Sequence, residues 1–304
     1  MSECTQVSPL CPVEATVYGY YPNLGANAFF CASFAVFTIA QLVLGIRYKT
    51  WTWMIATVIG CAMESIGYGG RIMMNRNPFD GGGFKMQIVC LILAPSLLSA
   101  SIDLTLKHVV IVFGTEKSRI RPNLYTWVFI GLDVASILIQ AIGGAIAASG
   151  EENRSLLDIG NNLMLVGIIV QVVQLVAFAL VTADYVLRTR KAYRDKPLPP
   201  LGAYYIRSKR FRWFCYAVTG AFSAILIRCI YRIPEMAGGW GGAIQRDEIS
   251  FLVLDGGMIW IAAFLLTICH PGVYFPQLSK NRDEMQEGFQ ARMSEKRDQT
   301  PSFA

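Results

Sequence analysis

Seven long apolar stretches, joined by short polar segments, are the feature that most limits how this chain can fold. Each approaches the ~20 residues that an α-helix needs to cross the hydrocarbon core of a bilayer. Only 16% of the residues are charged, against about a quarter in a soluble domain. We therefore predict an all-α fold, a seven-transmembrane-helix bundle, with spans at about 25–46, 52–74, 86–110, 125–148, 161–187, 213–234 and 249–271.

The distribution of basic residues predicts the orientation of this bundle, which would occupy residues 25–275. Nineteen lysines and arginines follow the first, third, fifth and seventh stretches, and four lie at the opposite ends. Positive residues accumulate on the cytosolic side of a membrane. We therefore expect the N-terminal tail, 1–24, outside and the polar tail, 276–304, in the cytosol. The expected location is the plasma membrane, with lipids as neighbours and no nucleic-acid partner.

Three features belong to the segments expected outside. Asn153 begins an N-glycosylation sequon between the fourth and fifth stretches, which makes it a candidate glycosylation site. Cys4 and Cys11 can pair in an oxidising compartment. Tyr18, Tyr20 and Tyr21 suit an aromatic belt at the membrane interface. No cleavable signal peptide is expected, because residues 1–24 hold no basic segment followed by an apolar one.

Charged residues inside the apolar stretches are the strongest functional signal, because ionisable groups in a bilayer are costly and tend to pair or to line a pathway. Arg228 and Arg232 lie one helical turn apart in the sixth stretch, and Asp255 lies within the seventh. On the expected orientation, several such residues converge in the outer half of the bundle. Two interpretations stay open, a structural lock between helices or a substrate site, for Glu64, Arg71, Arg228, Arg232, Glu235, Glu248 and Asp255.

A second set of polar residues lies in the inner half. Asp103 and Lys107 are spaced for an i, i+4 ion pair within the third span. Asp133 has no local partner, and either faces a cavity or is protonated. His270 lies at the inner end of the seventh span. Pro95 interrupts the third span and should either kink it or free a backbone carbonyl.

Chemical motifs do not favour an enzyme. The chain has two histidines, fewer than the three nitrogen ligands usual in a zinc hydrolase, and the eight cysteines show no metal spacing. No Gly-x-Ser-x-Gly elbow and no nucleotide-binding lysine motif is present. We therefore expect no catalytic residues, no metal and no cofactor.

An ordered set of short motifs resembles the fungal RTA-like family, the lipid-translocating exporters named for resistance to aminocholesterol. The resemblance extends from about residue 18 to 275. The motifs are Tyr21-Pro22-Asn23 with Asn27, Glu64–Arg71, Leu93–Ser96, Asp133–Ser136 leading to Gln140–Gly144, Arg228–Glu235, Glu248, Asp255 and His270–Gly272.

The resemblance implies a multi-pass protein of toxicant or stress resistance that exports or flips amphipathic molecules, such as sphingoid long-chain bases or sterol-like toxicants. A seven-span receptor or lipid sensor is the alternative. It would signal through a cytosolic partner at residues 188–212, where nine basic residues cluster. Lys107-His108-Val109 stands where a G-protein-coupled receptor carries its acidic-Arg-Tyr motif, which disfavours that alternative.

Overall fold

The computed structural model describes residues 4–113, 122–149, 154–194, 200–238 and 242–275, and these residues are all-α without strands. Asn153 and the tail 276–304 lie outside them, so the expectations for both stay predictions. The helices are α1 (Leu24–Tyr48), α2 (Trp51–Arg76), α3 (Gly81–Phe113), α4 (Pro122–Ser149), α5 (Arg154–Ala192), α6 (Pro200–Arg207), α7 (Lys209–Ala237), α8 (Glu248–Ser250), α9 (Met258–Ile268) and α10 (Pro271–Tyr274), with a π-helical segment at Phe251–Gly257.

Six helices within the described residues are long and apolar enough to cross a membrane. The second predicted span, 52–74, corresponds to α2, which has the length but not the mean hydropathy, because it contains Glu64, Arg71, Arg76 and several glycines. The six candidates are Leu24–Tyr48, Gly81–Phe113, Trp127–Ala147, Ser155–Ala192, Lys209–Ala237 and Glu248–Tyr274.

Sequential helices pack side by side, with α2 between α1 and α3, and α4 between α3 and α5. Small residues bring the α4 and α5 backbones into contact. A Cβ on Gly143 would lie 2.7 Å from the Met164 nitrogen, and one on Gly160 would lie 2.4 Å from the Ala147 nitrogen. Such small-residue contacts are a common way to pack helices where lipid offers no hydrophobic driving force.

The last long helix is not regular. Asp255 lies in the π-helical segment Phe251–Gly257, between α8 and α9. A π-turn inserts an extra residue and rotates the side chains that follow it, and such turns are frequent at functional sites. Gly256 permits the close packing here, since a Cβ at that position would lie 2.6 Å from the Tyr68 hydroxyl.

The N-terminal segment folds back onto the end of the bundle where α2 ends and α3 begins. A disulfide joins Cys4 and Cys11. Tyr18 is 4% exposed, and its hydroxyl accepts a hydrogen bond of 2.7 Å from the Gln87 amide on α3. This differs from the interfacial belt expected for Tyr18, because its side chain is buried against α3, whereas Tyr21 stays exposed.

Candidate functional site

An ion-pair cluster lies where α7 meets the π-helical segment. One oxygen of Asp255, Oδ1, is 2.7 Å from the Nε of Arg232 and 2.9 Å from the Nε of Arg228. The Arg232 guanidinium also donates to Glu235 Oε2 at 2.9 Å. All four side chains are buried. The spacing of one turn in α7 therefore lets a single carboxylate hold two arginines.

Pro95 explains the other contact of Arg228. A proline has no N–H to donate to the carbonyl four residues earlier, and in α3 that carbonyl belongs to Leu91. Arg228 Nη2 donates a short hydrogen bond to the Leu91 oxygen. The helix continues through Pro95, so the expectation of a freed carbonyl holds, and an arginine from α7 occupies it.

Glu64 is the least satisfied charged group near this cluster. Its side chain is 1% exposed, and its Oε1 lies 4.0 Å from Arg228 Nη2. Within the part of the chain that the structure describes, neither of its carboxylate oxygens has a hydrogen-bond partner. A buried carboxylate without donors is costly, so Glu64 has unused capacity for a cation.

Arg71 forms a separate centre near the start of α1 and the end of α2. Its Nε donates to Asn27 Oδ1 at 3.0 Å, and its Nη2 donates to the Tyr20 hydroxyl at 3.1 Å. The Arg71 Nη2 is also 3.5 Å from Glu248 Oε1, which accepts a 2.6 Å hydrogen bond from the Asn23 backbone. The partner of Arg71 is therefore Glu248, at the start of α8.

Phe251 connects the two arginine centres. The Arg71 guanidinium carbon is 4.1 Å from the centre of its ring, and that of Arg232 is 5.4 Å away. Arg71 also lies 5.2 Å from the ring centre of Tyr18. These are distances at which a cation is attracted to a ring face. Burial raises the pKa of Tyr18 to about 12, against the lowering effect of Arg71.

The seven residues predicted for the outer half thus lie in two centres joined through Phe251. Sequence reasoning did not find Phe251, Tyr20, Asn27 or the Leu91 carbonyl as contacts of the arginines. Two of them had a signal in the sequence: the carbonyl through Pro95 four residues later, and Asn27 through the family motif that contains it.

The inner polar residues differ from the expected arrangement. Asp103 on α3 is buried, and its Oδ2 accepts a hydrogen bond from the Gln174 amide of α5 at 2.8 Å. Asp133 Oδ1 accepts from Ser99 at 3.3 Å. Among the described residues no ion pair joins Asp103 to Lys107, which corrects the i, i+4 expectation. The observed donor to the buried Asp103 carboxylate therefore comes from a neighbouring helix.

His270 has a structural contact in the described residues. Its Nδ1 accepts from the Gly272 N–H at 3.1 Å and caps α10, and its ring lies near those of Tyr48 and Trp53. Within these same ranges, no group of three or more His, Cys, Asp and Glu residues is arranged to hold a metal ion.

A cavity of about 690 Å³ opens beside the N-terminal segment, between the α2–α3 turn and the α4–α5 end of the bundle. This volume is within the range of small-molecule pockets. Its wall carries the charged residues Asp80, Lys85 and Asp158 together with apolar ones such as Ile88 and Met164. A cavity of this composition suits a molecule with a polar head and an apolar body.

Comparison with known proteins identifies relatives over most of the chain. Residues 57–278 match the family model described as RTA1 like protein. The sphingoid long-chain base transporter RSB1 of Saccharomyces cerevisiae is 27% identical over 282 residues, covering 84% of this chain and 74% of that protein. Protein RTA1 of the same yeast is 24% identical, covering 84% of each chain. The lipid-translocating exporter-like protein RTA1 of Leptosphaeria maculans is 25% identical, covering 87% of this chain and 53% of that protein. No solved structure matches.

Proposed function

This chain belongs to the RTA1-like family, and on that premise we propose that it moves a lipid-like amphipath with a cationic head across the membrane, a sphingoid long-chain base being the substrate class. Relatives named as a sphingoid long-chain base transporter and a lipid-translocating exporter support a lipid transport role in the family. They are named as transporters and not as enzymes.

The environment of Glu64 is the observation that supports a substrate with a cationic head. It is buried, 4.0 Å from Arg228, and has no hydrogen bond within the described residues. Asp255 is less available, because its Oδ1 already holds Arg228 and Arg232. An ammonium group supplies up to three donors and a positive charge, which is what Glu64 lacks. The arginines keep the neighbouring carboxylates paired and do not themselves bind the cation.

The substrate reaches Glu64 only when the helices part, since the side chain is 1% exposed. In this proposal the cavity of about 690 Å³ receives the amphipath at the outer face. Its apolar wall accepts the tail, and Asp80 and Asp158 face the head. Tyr18 contacts both Phe84 of the cavity wall and Arg71, so it lies between the cavity and the Arg71 centre.

We further propose that α2 is a seventh span, with the N-terminus outside. Its 26 residues measure about 39 Å, enough to cross a bilayer. The charged residues Glu64 and Arg71 are buried, whereas Ile55, Ile59, Ile66 and Met73 are exposed. A helix that hides its charges and exposes its apolar face is adapted to lipid.

Orientation can be tested at the sequon. If the α4–α5 loop lies outside, Asn153 becomes glycosylated, and Asn153→Gln and deglycosylation each raise the electrophoretic mobility of the protein by the same amount. A tagged C-terminus that is reachable by antibody only after the membrane is permeabilised would agree with a cytosolic tail. Access to the C-terminal tag in intact cells would overturn the orientation.

Glu64→Gln tests the proposed head-group site. We expect the variant to reach the membrane in normal amount and to lose release of a labelled long-chain base, because an amide carries no charge to attract the ammonium. Glu14→Gln is the matched control, since Glu14 is exposed in the N-terminal segment, and it should release the base at the wild-type rate. Undiminished release by Glu64→Gln at equal abundance would rule out this site.

A further inference from the structure

Tyr68 on α2 carries a buried hydroxyl that forms no hydrogen bond within the described residues. The side chain is 0% exposed, and its hydroxyl oxygen has no donor or acceptor beside it. A buried tyrosine hydroxyl usually finds a partner, because its desolvation is otherwise uncompensated. The rings packed against Tyr68 are those of Phe30 and Phe34 on α1, which need no hydroxyl. Packing alone therefore does not account for a tyrosine at this position.

The ring of Tyr68 extends back along α2 toward Glu64, which lies one helical turn earlier. Ser65 Oγ donates to the Cys31 carbonyl at 2.9 Å. Because the two helices are antiparallel neighbours, the turn after Cys31 on α1 lies level with the turn before Ser65 on α2. The Tyr68 ring stacks on Phe34, in that turn of α1, with 5.8 Å between ring centres and 7° between ring planes. Tyr68 therefore reaches the level of Glu64, as long helical side chains do when they point to the helix N-terminus.

The Tyr68 hydroxyl also lies against the π-helical segment that carries Asp255. A Cβ on Gly256 would lie 2.6 Å from the hydroxyl oxygen, so a larger residue there would displace it. Asp255 holds Arg228, and the Nη2 of Arg228 is 4.0 Å from Glu64 Oε1. The Tyr68 hydroxyl and the Glu64 carboxylate thus belong to one buried site between α1, α2, α7 and the π-helical segment.

The two groups offer complementary chemistry to one ligand. The Glu64 carboxylate accepts hydrogen bonds, which suits an ammonium group, whereas the Tyr68 hydroxyl both donates and accepts. Neither has a hydrogen-bond partner among the described residues. A head group that satisfies both carries an ammonium and, on a neighbouring carbon, a hydroxyl. A simple alkyl amine would leave the Tyr68 hydroxyl unpaired, and a site that can hydrogen-bond a substrate hydroxyl discriminates against the analogue that lacks it.

We propose that Tyr68 determines substrate specificity, its hydroxyl forming a hydrogen bond with the hydroxyl of an amino alcohol whose ammonium is bound by Glu64. This inference rests on the proposed function, and it assigns to one residue the preference for a long-chain base over an alkyl amine with the same tail. Recognition here makes and breaks no covalent bond. The loss of one neutral hydrogen bond lowers affinity or rate roughly tenfold.

Movement of two radiolabelled probes in liposomes that carry the purified chain tests this selectivity. Sphinganine has an ammonium and hydroxyls, and octadecylamine has the ammonium and a tail of the same length without hydroxyls. After subtraction of the rate in protein-free liposomes, the wild type should move sphinganine roughly tenfold faster than octadecylamine. Tyr68→Phe should move the two at similar rates, because sphinganine is slowed. Tyr216→Phe, at an exposed position of α7, should keep the wild-type ratio.

The possible results separate this assignment from the proposed function. A Tyr68→Phe variant that keeps the wild-type ratio would overturn the assignment, and so would a wild type that moves both probes at the same rate. Both results leave the proposed function standing. A wild type that moves neither probe would refute the proposed function, and a binding measurement then decides the role of Tyr68.

Thermal unfolding in nanodiscs supplies that measurement, because a ligand stabilises the folded state that binds it. At the same mole fraction, sphinganine should raise the melting temperature of the wild type more than octadecylamine does, and this difference should vanish in Tyr68→Phe. Equal rises in the wild type would overturn the assignment. Without a probe, Tyr68→Phe should unfold at or above the wild-type temperature, since the hydroxyl it removes is unpaired. A lower temperature would mean that the hydroxyl has a structural partner and would contradict the assignment.

Discussion

Asp255→Asn is the substitution that most directly tests the ion-pair cluster. The carboxylate Oδ1 lies 2.7 Å and 2.9 Å from two buried arginine nitrogens. The neutral amide removes the negative charge that both guanidinium groups share. The carboxylates that remain are Glu235, 2.9 Å from Arg232, and Glu64, 4.0 Å from Arg228. Removing one partner of a buried ion pair costs about 3–5 kcal/mol. We expect a loss of that size, reduced where Glu64 moves toward Arg228.

The assay is thermal unfolding of the purified protein in detergent or nanodiscs. On the scale of large domains, where 1 kcal/mol shifts the melting temperature by about 2–4 °C, Asp255→Asn should unfold roughly 6–20 °C below the wild type. Asp184→Asn is the matched control, because Asp184 and Arg188 form an i, i+4 pair with side chains 43% and 42% exposed. Exposed pairs of this kind contribute about 0.3–0.5 kcal/mol.

The same comparison can refute the role of Asp255 in holding the two arginines. If Asp255→Asn and Asp184→Asn unfold at the same temperature, Asp255 does not hold the arginines as the distances indicate. The rescue variant Asp255→Asn/Arg232→Gln removes one of the stranded charges. It should recover part of the lost stability, whereas independent sites would give additive losses.

Three further predictions concern the contacts around this cluster. In Pro95→Ala the new amide can donate to the carbonyl that Arg228 occupies, so Arg228→Gln should cost about 1 kcal/mol less there than in the wild-type background, measured by a double-mutant cycle. Phe251→Leu should lower stability by about 1–2 kcal/mol through the lost cation–π contacts, whereas Phe251→Tyr should keep them, both measured by thermal unfolding. Burial raises the pKa of Tyr18 to about 12 in the folded protein. The stability that Tyr18 contributes is therefore present below pH 10 and falls as the pH rises from 10 to about 12. In a pH series of unfolding measurements, Tyr18→Phe should lack this decline.

The sequence was most informative where one physical requirement dominates. A bilayer demands long apolar helices, and the described helices lie at the predicted stretches to within a few residues, apart from longer ends in α3 and α5. Helical periodicity and depth also suggested that Arg228, Arg232 and Asp255 could meet, and the structure brings them together. Mean hydropathy separates α2 from the other long helices, because its buried face carries the charged residues.

Contacts that depend on neighbouring helices were not predictable in the same way. The i, i+4 rule suggested Lys107 for Asp103, but the observed donor to Asp103 is Gln174 of α5, which local spacing does not show. The π-helical segment Phe251–Gly257 around Asp255 was not predicted, because the apolar pattern of the seventh stretch does not distinguish it from an α-helix. Tyr18 was expected at the interface, since nothing in residues 1–24 reveals that the segment folds back on the bundle.

The most direct test of the account is movement of a long-chain base by the chain alone. Purified protein is reconstituted into liposomes without any other protein, and transfer of a labelled sphingoid base between the leaflets is compared with that of its N-acylated analogue, which lacks the ammonium group. The account predicts rapid transfer of the base, little transfer of the analogue, and loss of base transfer in Glu64→Gln. Binding of the base without any transfer would contradict transport and support the sensor alternative.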